Sequence, residues 1–411
     1  MTATTATTAT NAQPLESELL EHYRWFHRHP EPSYEEFATT ARLRGILESH
    51  GIEILDSGLK TGLVAVVRGA LPGPVVAIRG DIDGLPITEN TGLPYASENE
   101  GLMHGCGHDF NMTVAVGAAI LLQERRDTLH GTVKVILQPA EEGKATKERP
   151  TGAVQVLDTG VLDDVQAFFG THDWPGETGA ISIREGGLTG AVDKFQATIH
   201  GSGSHAAEPQ HGVDPITVLG AVLQGLQAVT ARNLDPVNPR VLSVTHVEAG
   251  STWNVIPSTA FLEGTVRTTE PADREAAKDR AVAIIERTAE AYGATAEVSW
   301  FFGSPSVVND PAWSRFGRRV AGDEGIAVTE DRPQLGGEDF SYYLQRVPGL
   351  FVHVGAGDAG ASHTPTFRPD PAAIWPGVRF LAALAARATE EWDTVSPEIS
   401  HEISPETAKR A

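Results

Sequence analysis

Apolar and polar positions along the chain change regime three times. From about Leu15 to His29 they follow helical spacing, and Pro30 with Pro32 ends that amphipathic helix. Short runs rich in Val and Ile then alternate with helix-like segments: LVAVV (63–67), PVVAIR (74–79), TVKVILQ (132–138), VQAFFG (165–170) and LFVHVG (350–355). This pattern predicts an α/β domain with a mainly parallel sheet flanked by helices. From about Gly187 to Phe302 the order becomes strand, helix, strand, strand, helix, strand, that of an α+β ferredoxin-like unit. The expected division is therefore a discontinuous first domain over 15–186 and 304–395, with a second domain, 187–303, inserted into it. The Thr/Ala repetition of residues 1–14 and the polar, proline-containing residues 396–411 read as disordered tails.

Size and charge narrow the function. A chain of 411 residues is too long for one compact core, in keeping with two domains. Acidic residues outnumber basic ones by 54 to 32, and a net charge of −22 argues against nucleic-acid or phosphate recognition, which needs a dense Lys/Arg surface. No uninterrupted apolar run approaches the ~20 residues that cross a bilayer. The first residues lack the basic start and apolar stretch of a secretory signal, so a soluble, cytoplasmic protein is expected. The single cysteine, Cys106, cannot form an internal disulfide and is either a small buried residue or a reactive or metal-binding thiolate.

The residues at the exit of each strand carry the chemistry. PVVAIR leads into Gly80-Asp81-Ile82-Asp83, TVKVILQ into Pro139-Ala140-Glu141-Glu142-Gly143, VQAFFG into Thr171-His172-Asp173, and LFVHVG through a short loop into Ser362-His363. Ligands of open α/β sheets collect at the carboxyl ends of the strands, so these carboxylates and imidazoles are expected to converge on one edge. The glycine-rich segment Met103–Asp109 presents Cys106 and His108 two positions apart, just before a helix. Cys, His and carboxylate form a zinc-type ligand set. Cys106, His108, Glu142, His172 and His363 exceed what one tetrahedral ion takes, and two metals sharing ligands is the natural reading. Such a pair, about 3.5 to 4 Å apart, suits hydrolysis of amides and esters. In the adjacent pair Glu141-Glu142, one carboxylate can bind metal while the other serves as general base. Nucleotide-binding glycine motifs in a strand-to-helix context and a G-x-S-x-G nucleophile elbow do not occur.

These residues together resemble the aminoacylase and carboxypeptidase family of dinuclear metal-dependent amidohydrolases, in the branch of hippurate hydrolases, N-acyl-amino-acid amidohydrolases and plant auxin-conjugate hydrolases. The match runs from WFHRHPEPSYEE through DIDGLPITENTG, MHGCGHD, QPAEEG, GTHDWPG, GSHAAEPQHGVDP, NVIP, GTVR and GGEDFSYY to SHTPTF. The resemblance implies a metallopeptidase-like catalytic domain carrying a lid and dimerisation domain. It implies that Cys106, His108, Glu142, His172 and His363 hold two divalent ions per subunit (Zn, Mn, Co or Ni), that Glu141 activates water, and that Asp83 orients the site from behind. Within the inserted domain, His205 and Asn254 would hold the scissile carbonyl and Arg267 would meet the substrate carboxylate. A homodimer through that domain is implied as well.

Two departures lie beside the expected site. Asn111 stands where the branch usually carries a second histidine, in G-H-D-x-H, and Gly84 stands where alanine is common. Neither touches an implied ligand or Glu141. The expected function is hydrolysis of the amide of an N-acyl amino acid to a carboxylic acid and a free amino acid. The alternatives are a dipeptidase or carboxypeptidase on the same scaffold and a non-catalytic binding homologue, which loss of Glu141 or a ligand would have favoured.

Overall fold

The computed structural model describes residues 7–146 and 148–399. The chain divides into two compact units, the first comprising the chain up to Glu185, Asn309–Asp331 and the chain from Tyr342, the second Gly186–Val308 with Arg332–Ser341.

The first unit is built on an eight-stranded sheet in the order Glu53–Ile54, Leu63–Arg68, His130–Gln138, Leu71–Asp81, Ala167–Trp174, Gly349–Gly355, Ile181–Ile183, Val328–Glu330. Its four central strands, from His130–Gln138 to Gly349–Gly355, run parallel to one another. Antiparallel pairs join them on either side to Leu63–Arg68 and Ile181–Ile183. Gly349–Gly355 is buried at every position and Ala167–Trp174 at all but its last. Burial of side chains on both faces of these strands explains why they read as continuous apolar runs rather than alternating ones.

Helix His108–Glu124 is apolar nearly all round because it is itself interior. A Cβ on its Gly117 would lie 2.6 Å from Val378 and 2.7 Å from Leu19, so the glycine lets the helices Thr7–Arg28 and Ile374–Glu390 approach it closely. On the same core Phe169 meets Trp313 edge-on, ring centroids 5.0 Å apart, and each such buried ring or aliphatic side chain contributes about 1.5–3 kcal/mol.

Both tail expectations need correction. Thr7–Arg28 is one helix, so residues 7–14 are structured, and residues 1–6 lie outside the described residues. Leu15, Leu19, Tyr23 and Phe26 are buried in the core and anchor the helix, and extending an anchored helix costs far less than nucleating one. Pro14 lies within it and supplies no backbone N–H. At the other end Ser396–Glu398 form a 3₁₀ turn and Ile399 packs into the core beside Val395, while residues 400–411 lie outside the described residues.

The second unit is a four-stranded antiparallel sheet, Arg240–Ala249, Thr259–Thr268, Ala191–His200, Thr295–Phe302 in spatial order, with helices Pro215–Ala228 and Pro271–Ala291. This is the expected ferredoxin-like arrangement. Ala191–His200 alternates buried with more exposed positions because helices cover one face only, and Phe195, Ala197 and Ile199 meet Val218, Val222 and Ile285 in a separate core. Asp214 caps the first helix through the Ile216 N–H (2.9 Å), with Pro215 at its first position. The unit is larger than the expected 187–303. Arg332–Ser341 belongs to it, tied by backbone bonds from the Gly190 N–H to Gly336 O (2.9 Å) and from the Gln334 N–H to Leu188 O (2.8 Å).

Candidate metal centre

The carboxyl ends of the parallel strands in the first unit gather the residues expected there. Asp81 pairs with Gln138 at the ends of adjacent strands, and His172 lies in register with His353. The helix His108–Glu124 begins at Gly107, in the left-handed conformation at φ 75°, where a Cβ would fall 1.8 Å from the Asp173 carboxylate. Only glycine fits, and the tight turn aims Cys106 and His108 at the same point.

Asp83 organises the opposite wall. One of its oxygens accepts from His108 Nδ1 (3.1 Å) and the Glu141 N–H (3.1 Å), the other from Ser33 Oγ (2.6 Å) and the Glu142 N–H (3.0 Å). Burial alone would raise its carboxyl pKa, but the His108 and Ser33 hydrogen bonds outweigh burial and hold it below the ordinary range. With Nδ1 committed to Asp83, His108 has Nε2 left over, and that atom is buried without a hydrogen-bond partner among the described residues. An orphaned imidazole nitrogen facing a thiol is what a metal ligand looks like.

The other candidates complete the donor set. His172 Nδ1 bonds the Asp173 carbonyl at 2.7 Å, which turns Nε2 toward Cys106 Sγ, 3.7 Å away. Burial pushes the His172 pKa down to about 4, so the ring is neutral and able to ligate at neutral pH. His363, in a left-handed backbone conformation at φ 61°, brings Nε2 to 3.3 Å from Cys106 Sγ and 2.8 Å from Glu142 Oε1. Within the first unit, ligand atoms within 4.8 Å of one another occur in three overlapping groups: Cys106, His108 and His172; Cys106, Glu142 and His363; His108, Glu141 and Glu142. Ligands of one ion at ordinary bond lengths sit about 3–4 Å apart. Cys106 belongs to two of these groups, and a donor set of thiol, imidazole and carboxylate fits divalent cations.

Arg79, Asp81, Asn111 and Gln138 form a layer behind the centre whose roles are not legible from local sequence. Arg79 is fully buried, bonded through Nε to Gln138 Oε1 (3.0 Å) and ion-paired with Asp81. Burial opposes ionisation of Asp81, but Arg79 and the nearby imidazoles hold its carboxyl well below the usual range. Asn111 uses both ends of its amide: Nδ2 donates to Asp81 Oδ1 (2.9 Å) and Oδ1 accepts from the Asp173 N–H (3.0 Å). The departure at 111 therefore bridges two strand ends rather than adding a ligand. At the other departure, a Cβ on Gly84 would lie 2.9 Å from Pro30 Cβ, where the Gly84 N–H bonds Glu31 O at 2.7 Å.

His205, Asn254 and Arg267 all lie in the second unit. His205 and Asn254 are brought together on a two-stranded ribbon, where His205 opposes Val255 and the Ala206 N–H bonds Asn254 O at 3.1 Å. Arg267 is on Thr259–Thr268, with Nη1 donating to Thr265 Oγ1 and to Val266 O (3.1 Å).

The chain is similar to known proteins over most of its length. The profile of peptidase family M20/M25/M40 matches residues 77–387. An N-acetylcysteine deacetylase of Bacillus subtilis (strain 168) is 43% identical over 374 residues, covering 90% of this chain and 97% of its own length. An N-acetyl-L-cysteine deacetylase of the same organism is 41% identical over 378 residues, covering 92% and 89%. The crystal structure of a dinuclear metal binding peptidase of the M20 family from Bacillus subtilis superposes with a TM-score of 0.83 at 40% identity, covering 92% of this chain and 99% of that one.

Proposed function

The chain belongs to peptidase family M20/M25/M40, and on that premise we propose that it hydrolyses the amide of an N-acyl amino acid, releasing a carboxylic acid and a free amino acid. The observation that carries this reading is the shared position of Cys106 in two ligand groups, with Glu141 in a third beside them. Cys106, His108, Glu142, His172 and His363 would hold two divalent cations, of Zn, Mn, Co or Ni. When bound, such ions supply Lewis acidity toward the amide carbonyl and the attacking water.

The chain's own groups do the rest. Glu141 takes a proton from the attacking water and returns one to the leaving nitrogen, which must depart as an amine rather than an amide anion. Asp83 keeps the His108 tautomer and the Glu141-Glu142 turn in place through the four hydrogen bonds it accepts. His205 and Asn254 hold the scissile carbonyl, and Arg267 meets the substrate carboxylate. The two relatives named as N-acetylcysteine deacetylases favour short acyl chains as the first substrates to try. Metal-loaded protein incubated with N-acetyl amino acids, N-benzoylglycine and dipeptides, with released amine measured, is expected to turn over the N-acyl compounds. Cleavage of dipeptides alone would replace this reading with a dipeptidase. A cytoplasmic location belongs to the same proposal.

The second unit also supports a homodimer. Its edge strand Arg240–Ala249 exposes Val241 and Val247, the opposite edge exposes Phe301 and Phe302, and Trp253 beside Asn254 is 91% exposed. Open edges with apolar side chains invite pairing with a second copy. If His205 serves the partner's site, mixing inactive Glu141→Gln and inactive His205→Ala proteins after reversible dissociation restores activity, because a mixed dimer pairs an intact Glu141 with an intact His205. No recovery after demonstrated subunit exchange assigns His205 to its own chain or removes it from the reaction.

A further inference from the structure

We propose that Glu36, a buried acid remote in sequence from the metal centre, is a positioning residue that holds the turn carrying Glu141 and Glu142. Three consecutive backbone N–H groups leave the strand His130–Gln138 at this turn, and each meets a buried carboxylate. Asp83 accepts from Glu141 and Glu142, and Glu36 Oε1 accepts from Ala140 at 2.8 Å. Ala140 sits at φ 50°, a left-handed conformation that a residue with a Cβ does not hold without support.

The same Glu36 oxygen accepts the N–H of Tyr34 at 2.9 Å, and Tyr34 is again left-handed, at φ 71°. Of the three non-glycine residues with positive φ among the described residues, one carboxylate oxygen therefore holds two. Tyr34 in turn closes over the far side of the turn. Its ring leaves no room for a Cβ on Gly143, which would come within 2.5 Å, and the Arg149 guanidinium lies over it at 4.2 Å from the centroid. Glu36 thus clamps the turn through Ala140 directly and through Tyr34 from outside.

What Glu36 supplies is an acceptor at a fixed reach rather than a charge. It is completely buried, and burial together with the Asp83 charge pushes its pKa up to about 7, so proton-bearing and ionised forms both occur near neutrality while an oxygen stays available to the two N–H groups.

The test separates reach from charge. Glu36→Gln keeps the length and an amide oxygen but loses the charge; Glu36→Asp keeps the charge and withdraws the acceptor by one methylene. As the kinetic part rests on the function proposed above, amide hydrogen exchange is measured as well, on metal-free protein. Glu36→Asp is expected to lower kcat about ten- to a hundredfold with KM within about twofold, the scale of a misplaced catalytic group. In the same variant the peptide spanning 138–143 should exchange faster. Glu36→Gln should stay within about threefold of the parent in kcat, with parental exchange. Adding Ala140→Gly to Glu36→Asp should recover part of the loss, because glycine holds the left-handed conformation unaided.

The reverse order, with Gln damaging and Asp tolerated, overturns the proposal. So does unchanged exchange at 138–143 in Glu36→Asp, or faster exchange with unchanged kcat. If the parent protein cleaves no N-acyl amino acid, the functional reading fails, and the exchange data alone still decide whether Glu36 holds the turn.

Discussion

Glu141→Gln is expected to lower kcat by about two to four orders of magnitude while the fold and both metals are retained. The substitution is nearly isosteric, and the hydrogen bond that fixes this residue's backbone, from its N–H to Asp83 at 3.1 Å, does not involve the side chain. Glu142, His108 and the other candidate ligands are untouched, so metal affinity should stay close to that of the parent. What is lost is the ability to take a proton from water and hand it to the departing nitrogen. The check is kcat and KM on the best N-acyl amino acid, with metal content measured on the same preparation. Turnover near the parent value would remove Glu141 from the role of base.

Removing the metals is expected to abolish turnover altogether, and adding back Zn, Mn, Co or Ni should restore it to differing extents. The ligand set also makes a spectroscopic prediction that does not depend on activity. In this structure burial pushes the Cys106 thiol well above its ordinary pKa, and a bound cation would act against that shift by stabilising the thiolate. Cobalt-loaded protein should show a thiolate-to-cobalt charge-transfer band that is absent in Cys106→Ser. Full activity after exhaustive chelation would refute metal dependence. A band that persists in Cys106→Ser would show that another group supplies the observed transition.

Departures from the family's motifs take a different meaning once their neighbours are seen. From the chain alone, Asn111 marks a missing histidine beside the site. In the fold its amide joins Asp81 to the backbone of Asp173, with both partners buried. The amide's donor and acceptor ends answer one carboxylate and one N–H, a pairing that neither neighbour's identity announces in sequence.

Local sequence was enough to specify the strand and helix order of the second unit, the five longest strands of the first unit's sheet, the residue types that leave its parallel strands, and the glycine turn carrying Cys106 and His108. Hydrophobic periodicity, proline and glycine punctuation, and capping act over a few residues, so they are legible without a partner. Which groups meet is a property of the folded chain. His363 and Cys106 are 257 residues apart, Asp83 reaches amides 58 and 59 residues further on, and Glu36 reaches Ala140 across 104. Such closures are set by packing of the whole sheet and its helices, and nothing local to Ser33, Glu36 or Arg79 specifies the partner. The same reason explains the two ends of the chain. Residues 7–14 have a composition that reads as a tail, yet they continue a helix whose anchors, Leu15, Leu19, Tyr23 and Phe26, are buried against elements far away in sequence.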